Sequence, residues 1–371
     1  MIPKIVIVGC GKMGQTIAAL TGYRYSVKLI DKMKNIHEVI KNINRNCAGK
    51  ITGKRIDISC HNDFVKELEN SNIIVNCTSH QNNINIARAA LQTKTSYIDL
   101  SEDIFSVNKI AQMTRSADVK KHKQYFIPCC GLAPGFVQIK AYDMIKSFEE
   151  INEVKICVGA LPKNPSNSLG YNITWSVDGL INEYTNQCKV LVNGNVRIVD
   201  PLGGHEKLTI SGGRYESFYT SGGIGTLAET LAQKKNVKNA YYKTIRYCGH
   251  HQLMKFLLFD LGLSDKKGLL KDILVSSLPE TDEDVVIIFI TISGWKNNKF
   301  LQDSYVKYIY SDKYHLLTQY QTAIQKTTAS SASAIIDLII QDKIPHYGYV
   351  KQEEIQLSDF FLTSFGKVFQ H

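Results

Sequence analysis

The stretch that decides the fold is MIPKIVIVGCGKMGQ, residues 1–15, in which a short apolar run leads directly into a glycine cluster. The β-branched run Ile5–Val8 predicts a strand buried on both faces. Gly9, Gly11 and Gly14 follow it in the G-x-G-x-x-G spacing of a dinucleotide-binding turn. Taken alone, this spacing is also compatible with an ordinary glycine-rich turn between a strand and a helix.

Each glycine has a separate expected role in such a turn. Gly9 would allow the tight turn, Gly11 would let backbone amides approach a pyrophosphate, and Gly14 would let the following helix pack against the sheet. The helix is expected to begin at about Lys12, so that Lys12 and Met13 lie at a positive helix end facing the phosphates.

An acidic residue in the expected place supports the nucleotide interpretation. A second predicted strand, Ser26 to Ile30, ends at Asp31, which lies 22 residues after Gly9. A carboxylate there would bind the adenosine ribose hydroxyls and repel a 2′-phosphate. We therefore expect NAD as the cofactor, with NADP as the second candidate because Lys32 is adjacent.

The first third of the chain alternates between predicted strands and predicted helices. Further strands are predicted at Arg55 to Ile58, Ile73 to Asn76, Tyr97 to Leu100 and Tyr125 to Pro128, with helices at Asp63 to Asn70 and Ile84 to Gln92. This alternation predicts an α/β fold, a doubly wound parallel sheet of the Rossmann type.

In such a sheet, ligands bind at the carboxyl ends of the strands. The cofactor-binding residues expected there, besides those of the glycine turn and Asp31, are Asp57, Ile58, Cys77, Thr78, Ser79, Asp99, Ser101 and Gly131. Each is equally plausible as part of a simple turn.

Composition is consistent with a cytoplasmic enzyme of two domains. The chain has 371 residues, of which 44% are hydrophobic and 21% charged, and domains commonly contain about 100 to 200 residues. Nine cysteines, an odd number without a disulfide-like framework, favour a reducing compartment. The apolar N-terminus has no basic region typical of a signal peptide, and no apolar stretch reaches the ~18 residues of a membrane span.

The net charge of +10 does not indicate a nucleic-acid partner. The basic residues occur in short scattered runs, and no recognisable nucleic-acid module accompanies them. We expect them to form solvated surfaces with a weak attraction for anions. The partner expected is a small molecule.

After CCGLAPGF (residues 129–136) the pattern changes to successive strands. They are predicted at Val154 to Leu161, Cys188 to Val192, Asn195 to Val199, Lys207 to Ile210, Val285 to Ile292 and Tyr305 to Tyr310. Successive strands predict a largely antiparallel sheet and an α+β second domain. A helix of small residues is predicted from Thr327 to Ile340.

The middle of the chain carries a resemblance that is more specific than the glycine turn. The stretch ALPKNPSNSLGYNITWSVDGLINEYTNQCKVLVNGNVRIVDPL (residues 160–202), with CCGLAPGF before it and TIRYCGHHQLMKFLLFDLGL (residues 244–263) after it, closely resembles the lysine 6-dehydrogenase branch of the saccharopine dehydrogenase-like family. The resemblance covers almost the whole chain.

This resemblance implies an organisation and an activity. The domains implied are a Rossmann domain at 1–130, an inserted α+β domain for substrate and dimerisation at 131–321, and a C-terminal segment returning to the Rossmann domain at 322–371. Family members oxidise or reduce amino-acid carbon–nitrogen bonds with nicotinamide cofactors. In the lysine branch, L-lysine is oxidatively deaminated at its ε-carbon, and the semialdehyde cyclises to piperideine-6-carboxylate. A homodimer is expected.

Some residues differ from the related reductases or from the family motif. Saccharopine reductases tend to carry GLDPG where this chain has Ala133 in GLAPG, and a glycine followed by Phe where this chain has Gly249 and His250. Both differences favour the lysine branch. Cys248, however, stands where the family motif commonly has proline, and family resemblance defines the reaction type better than the substrate.

Five residues of the second domain are candidates for the substrate site. His250 is the first candidate for proton transfer, or else a histidine packed at a helix start. Arg246 is the candidate for the substrate carboxylate, or else forms a structural salt bridge. Tyr171 and Thr174 would exclude water from the substrate, although such residues more often pack in the hydrophobic core. Glu229 would receive the α-ammonium, or else is an exposed helical glutamate.

Two neighbouring aromatic residues, Trp175 and Tyr184, share the wall-or-core alternatives of Tyr171. No metal is expected, since histidines and carboxylates do not occur together at ligand spacing.

Two other functions are compatible with the same motifs. A saccharopine or carboxynorspermidine reductase would use the same fold in the opposite direction, joining an amine to a carbonyl compound. A dinucleotide-binding sensor without turnover would keep the glycine turn and Asp31 but lack a productive second domain.

Overall fold

The computed structural model describes residues 2–46, 49, 51–313 and 320–370. The chain forms two compact units. The first comprises Met1–Ile139, Lys313–Gln321 and Gln325–His371, and the second comprises Lys140–Asp312 and Thr322–Ile324. Among the described residues, no helix combines the length and apolar character needed to cross a membrane.

The strands, in chain order, are β1 Lys4–Val8, β2 Ser26–Asp31, β3 Ile51–Arg55, β4 Ile73–Asn76, β5 Ser96–Asp99, β6 Tyr125–Ile127, β7 Glu150–Pro162, β8 Cys188–Val192, β9 Asn195–Val199, β10 Glu206–Ile210, β11 Gly213–Tyr219, β12 Val237–Tyr247, β13 Asp284–Lys296, β14 Lys299–Tyr310, β15 Asp312–Lys313, β16 Tyr320–Gln321 and β17 Gly348–Tyr349.

The α-helices are α1 Lys12–Thr21, α2 Ile36–Asn46, α3 His61–Leu68, α4 Asn83–Gln92, α5 Ile104–Met113, α6 Ala117–Lys121, α7 Phe136–Ile145, α8 Val177–Thr185, α9 Leu227–Lys234, α10 His250–Lys255, α11 Lys267–Ser277, α12 Ala323–Ile340 and α13 Leu357–Leu362. A π-helical turn, Phe256–Asp260, continues α10.

The first unit contains a seven-stranded sheet in the order β17-β6-β5-β4-β1-β2-β3, in which every pairing is parallel. β1 pairs with β2 on one side and with β4 on the other, so the strand order reverses beside it. Ile5–Val8 are at most 1% exposed, as expected for a central strand covered on both faces. The predicted doubly wound parallel sheet is confirmed.

The second unit contains a mixed sheet in the order β10-β11-β12-β7-β13-β14, with β8 and β9 attached beside β12. Pairing is antiparallel except between β12 and β7. An apolar cluster formed with α8, α10 and α11 includes Phe218, Leu258, Leu270 and Leu274. The predicted α+β character of this part of the chain is confirmed.

Some predicted element bounds are wrong. The strand predicted at Arg55 to Ile58 is instead Ile51–Arg55, which ends where β2 ends because Arg55 pairs with Asp31. Ile56 belongs to the apolar core after the strand. The helix predicted from Thr327 begins four residues earlier, at Ala323.

The start of α12 is determined by a distant residue. The buried carboxylate of Asp284 accepts hydrogen bonds from Ala323 N (2.5 Å) and Ile324 N (3.1 Å). A carboxylate at these free N–H groups stabilises the helix start. Thr327 therefore lies inside the helix, where it is fully buried.

Candidate active site

A cleft of about 570 Å³ lies at the carboxyl ends of β1, β2 and β4 in the first unit. Eight of the predicted cofactor-binding residues line it: Gly9, Gly11, Asp31, Asp57, Ile58, Cys77, Thr78 and Ser79. The other six, which do not line it, are Lys12, Met13, Gly14, Asp99, Ser101 and Gly131. The switch in strand order beside β1 is where ligands of such sheets bind.

The glycine turn has the geometry that a phosphate site needs. Gly9 has a φ of +102°, and a Cβ at Gly14 would lie 1.9 Å from the carbonyl oxygen of Gly9. A Cβ at Gly11 would meet nothing within 4 Å, so open space lies beside this residue. Because Gly11 is also the N-cap of α1 and has no side chain, the first-turn N–H groups can face a phosphate.

Asp31 is held in place at the end of β2. Its carboxylate accepts hydrogen bonds from Cys10 N at 2.6 Å and from Met33 N at 2.9 Å. The carboxylate therefore lines the cleft in a defined orientation, as ribose recognition requires. Together with the open space beside Gly11, this arrangement fits a dinucleotide.

Asp57 lines the same cleft but also stabilises its own turn. Its carboxylate accepts hydrogen bonds from Ser59 N (3.0 Å) and Ser59 Oγ (2.6 Å), and these bonds lower the pKa of Asp57 below its ordinary value. Asp57 can therefore stabilise its turn and lie beside a ligand at the same time.

Asp99 is the last residue of β5 and does not line the cleft. This buried carboxylate accepts hydrogen bonds from Tyr97 Oη (2.8 Å), Ser101 N (3.0 Å) and Cys129 N (3.0 Å). Burial raises the pKa of Asp99 to about 6. These bonds join the loops after β5 and β6, and Gly131 begins the next turn, where its carbonyl accepts from Phe136 N.

In the second unit, Arg246 on β12 is 1% exposed. Its Nε donates to Tyr184 Oη at 2.7 Å, and its Nη1 donates to the Ile245 carbonyl at 3.0 Å. The guanidinium carbon lies 5.3 Å from the centre of the Tyr171 ring and 5.7 Å from that of Tyr184. The aromatic faces stabilise this buried cation, and they belong to the apolar core as well.

His250 completes a chain of hydrogen bonds from Arg246. Tyr184 Oη accepts from Arg246 and lies 3.0 Å from His250 Nε2, while His250 Nδ1 lies 2.9 Å from the Leu169 carbonyl. Since a carbonyl only accepts, Nδ1 carries the proton and Nε2 accepts from Tyr184. Burial, and secondly the charge of Arg246, lower the pKa of His250 to about 3. The ring is neutral near pH 7.

We call Arg246, Tyr171, Tyr184, His250 and Glu183 the arginine cluster. Thr174 belongs to its surroundings, since this residue is 5% exposed and close enough to Tyr171 to influence the pKa of that phenol.

Glu229 has a different partner from the one the sequence suggested. Its carboxylate forms an ion pair with Lys189 of β8, and its side chain is 42% exposed. In the part of the chain that the structure describes, Glu229 forms no hydrogen bond or ion pair with the arginine cluster.

Glu183 is the residue that the sequence interpretation missed. It precedes Tyr184 on α8 and is partly buried. Burial raises the pKa of Glu183 to about 7 against the opposing effect of Arg246. The only sequence signal was its position beside a tyrosine in the family-like stretch GLINEY.

Both parts of the chain match models of one family. Residues 5–126 match the saccharopine dehydrogenase NADP binding domain, and residues 131–368 match the saccharopine dehydrogenase C-terminal domain. The first unit, with its cleft and glycine turn, is thus an NAD(P)-binding domain.

Two solved structures share the fold. Apo saccharopine dehydrogenase (L-Glu forming) from Saccharomyces cerevisiae is 15% identical with a TM-score of 0.78, covering 97% of this chain and 96% of that one. Homospermidine synthase from Legionella pneumophila in complex with NAD is 13% identical with a TM-score of 0.68, covering 99% of this chain and 89% of that one. Since the C-terminal model alone matches more than half of the chain, the protein belongs to the saccharopine dehydrogenase family.

Proposed function

We propose that the protein is an NAD-dependent oxidoreductase that acts on the CH–NH bond of an amino acid, and that it deaminates L-lysine at the ε-carbon. Lysine, NAD⁺ and water would give the semialdehyde, ammonium, NADH and a proton, and the semialdehyde would cyclise with loss of water to piperideine-6-carboxylate. The observation that carries this proposal is the buried guanidinium of Arg246, a carboxylate-binding group placed among aromatic residues.

The first unit would hold the cofactor. Gly9, Gly11 and the N-terminus of α1 would bind the pyrophosphate, and Asp31 would bind the adenosine ribose. When bound, NAD supplies the hydride acceptor. NAD is preferred because the carboxylate of Asp31 would repel a 2′-phosphate, and NADP is the second candidate because Lys32 also lines the cleft.

The second unit would bind and orient the amino acid. Arg246 would pair with the α-carboxylate, while Tyr171 and Thr174 would exclude water from the aliphatic part of the substrate. His250, neutral near pH 7, would hold Tyr184 in the orientation that Arg246 requires. Proton uptake by His250 during the reaction, which the sequence suggested, stays a prediction.

The main alternative is a reductase that joins an amine to a carbonyl compound, with saccharopine or carboxynorspermidine as product. Membership of the saccharopine dehydrogenase family supports this alternative as well. The homodimer and the cytoplasmic location also stay predictions.

The experiment is a reduced-nicotinamide absorbance assay with purified protein, NAD or NADP, and L-lysine, L-ornithine, saccharopine or carboxynorspermidine. We expect NADH formation with lysine. In Arg246→Lys, which keeps the charge but loses the planar pair of donors, we expect KM for lysine to rise about 10- to 100-fold. Arg197→Lys, at an exposed position of β9, is the matched control.

The other outcomes lead to different assignments. Turnover of saccharopine or carboxynorspermidine but not lysine would place the protein among the reductases. NAD binding without turnover of any amine would favour the sensor.

A further inference from the structure

We propose that Glu183 binds the α-ammonium of the substrate while Arg246 binds its α-carboxylate, so that the second unit selects amines carrying a free α-amino-acid head group. This inference rests on the proposed function, because it names the part of the substrate that the arginine cluster recognises. It also transfers to Glu183 the role that the sequence suggested for Glu229.

Glu183 lies on α8 directly before another member of the arginine cluster. The next residue, Tyr184, is buried and receives the hydrogen bond of Arg246 Nε. The backbone of Glu183 is held by Ser221, whose N–H donates to the Glu183 carbonyl at 3.0 Å. Glu183 is therefore positioned by a helix and an ordered turn, which suits a recognition residue.

The charges of Glu183 and Arg246 affect one another's pKa values without forming an ion pair. Glu183 influences the ionisation of Arg246 and of the adjacent phenols Tyr171 and Tyr184. Within the described ranges, neither Arg246 nor Glu183 forms an ion pair within 4.0 Å. Arg246 has hydrogen-bond and aromatic partners but no carboxylate, and the partly buried Glu183 has no cation, so a zwitterion would give each charge an opposite one.

Other carboxylates of the second unit near these elements are already bound. Glu229 is paired with Lys189. Glu216 is opposite Arg246 in the strand register, but its Oε1 accepts from His251 N (2.6 Å) and its Oε2 lies 3.1 Å from His205 Nε2. Glu183, by contrast, makes no side-chain hydrogen bond to any residue that the structure describes.

A pH dependence would accompany this role. Only ionised Glu183 attracts an ammonium, and burial raises its pKa to about 7, so the affinity for lysine should fall as the pH drops below 7. The groups that interact with this carboxylate are Arg246, Tyr171, Tyr184 and Cys188. The cation remains charged throughout, and burial raises the pKa values of the phenols and the thiol, so none of the four titrates in this range.

The test is calorimetric binding to the full-length protein with NADH present, so that no oxidation occurs. The ligands are L-lysine, 6-aminohexanoate, which lacks the α-ammonium, and cadaverine, which lacks the carboxylate. We expect wild type to bind lysine about tenfold or more tightly than either analogue. In Glu183→Gln the preference for lysine over 6-aminohexanoate should shrink to within about threefold, while the preference over cadaverine remains.

Two further variants keep the result interpretable. Asp178→Asn removes a carboxylate from the same helix, where Asp178 is 64% exposed and paired with Lys271, and should leave all three affinities unchanged. Glu183→Asp keeps the charge and should retain part of the discrimination. Thermal unfolding of each variant shows whether it is folded.

The outcomes separate this inference from the proposed function. If lysine is oxidised but Glu183→Gln discriminates as wild type does, the inference is wrong and the function stands. If no amine is oxidised but Glu183→Gln loses the discrimination, the inference stands and the function is wrong. If wild type binds lysine and 6-aminohexanoate equally, the inference is overturned.

Discussion

At the residue scale, the arginine cluster shows how a cation is kept inside an apolar core. Arg246 donates to Tyr184, Tyr184 donates to His250, and His250 donates to the Leu169 carbonyl. Within this chain each of the three side chains has a defined donor or acceptor role. The guanidinium is thereby held in one orientation.

The neutral state of His250 predicts how stability depends on pH. The pKa of His250 is lowered to about 3 from 6.5, so between these values the unfolded chain binds a proton that the folded chain does not. Stability is then lost as the pH falls below 6.5, by about 2 kcal/mol between pH 7 and pH 5. Urea unfolding at the two pH values measures this loss.

In His250→Gln the amide oxygen can still accept from Tyr184. The loss of unfolding free energy between pH 7 and pH 5 should therefore be smaller than in wild type by about 2 kcal/mol. His80→Gln, at an exposed position, should keep the slope of wild type. Equal slopes in wild type and His250→Gln would show that His250 takes up its proton normally.

Asp31 predicts the cofactor preference. Asp31→Asn removes the negative charge while keeping an oxygen for the N–H of Cys10. We expect the ratio of kcat/KM for NAD to that for NADP to fall by about tenfold, since repulsion of the 2′-phosphate is lost. An unchanged ratio, measured with both cofactors, would mean that Asp31 does not face the ribose.

At the element scale, the β1–α1 turn depends on two glycines for different reasons. Gly14 allows α1 to lie against the carbonyl of Gly9, whereas Gly11 faces open space. The first is a requirement of packing and the second a requirement of ligand access.

This difference predicts opposite results for two alanine variants. Gly14→Ala should destabilise the protein by about 1–3 kcal/mol through overpacking. Gly11→Ala should unfold like wild type but bind NAD more weakly, because its methyl group occupies the space beside the phosphates. Denaturant unfolding and fluorescence titration with NADH distinguish the two, and a normal NADH affinity in Gly11→Ala would contradict the cleft assignment.

The helix α12 shows why element bounds are hard to predict from a local pattern. Its small residues and apolar second half predicted a helix, and residues 327–340 are indeed helical. The start at Ala323 depends on Asp284, about 40 residues earlier in the chain. A local capping signal at Thr327 therefore pointed to the wrong residue.

At the scale of the whole molecule, each unit has its own sheet and its own apolar core. Ligand binding to one unit should therefore slow hydrogen exchange of the backbone amides in that unit. The first unit contains the cleft and the second contains the arginine cluster.

Hydrogen exchange with and without NAD tests this division. At NAD concentrations about 100 times Kd, the first unit should gain about 2.7 kcal/mol against unfolding. Amides around Gly9, Gly11 and Asp31 should exchange more slowly, and Gly11→Ala should lose the effect. Protection confined to β12 and α8 would place the dinucleotide elsewhere.

The sequence by itself determined the parallel sheet, the glycine turn and Asp31, because the alternation of strands and helices indicates the first and residue spacing along the chain indicates the other two. The bounds of Ser26–Asp31, Ile73–Asn76, Cys188–Val192 and Asn195–Val199 were predicted to within one residue, since apolar side chains mark them directly. β12 was missed, because Lys243, Thr244 and Arg246 are buried polar residues whose partners lie on other elements.

Only the tertiary structure decided the composition of the arginine cluster. Arg246 and His250 were found from one short motif, but Tyr184 bonds to both from more than 60 residues away, and Glu183 precedes it on α8. The pairing of Glu229 with Lys189 likewise depends on a strand 40 residues earlier. A side chain's ionisation and partners depend on burial and on which elements meet, and a local pattern contains neither.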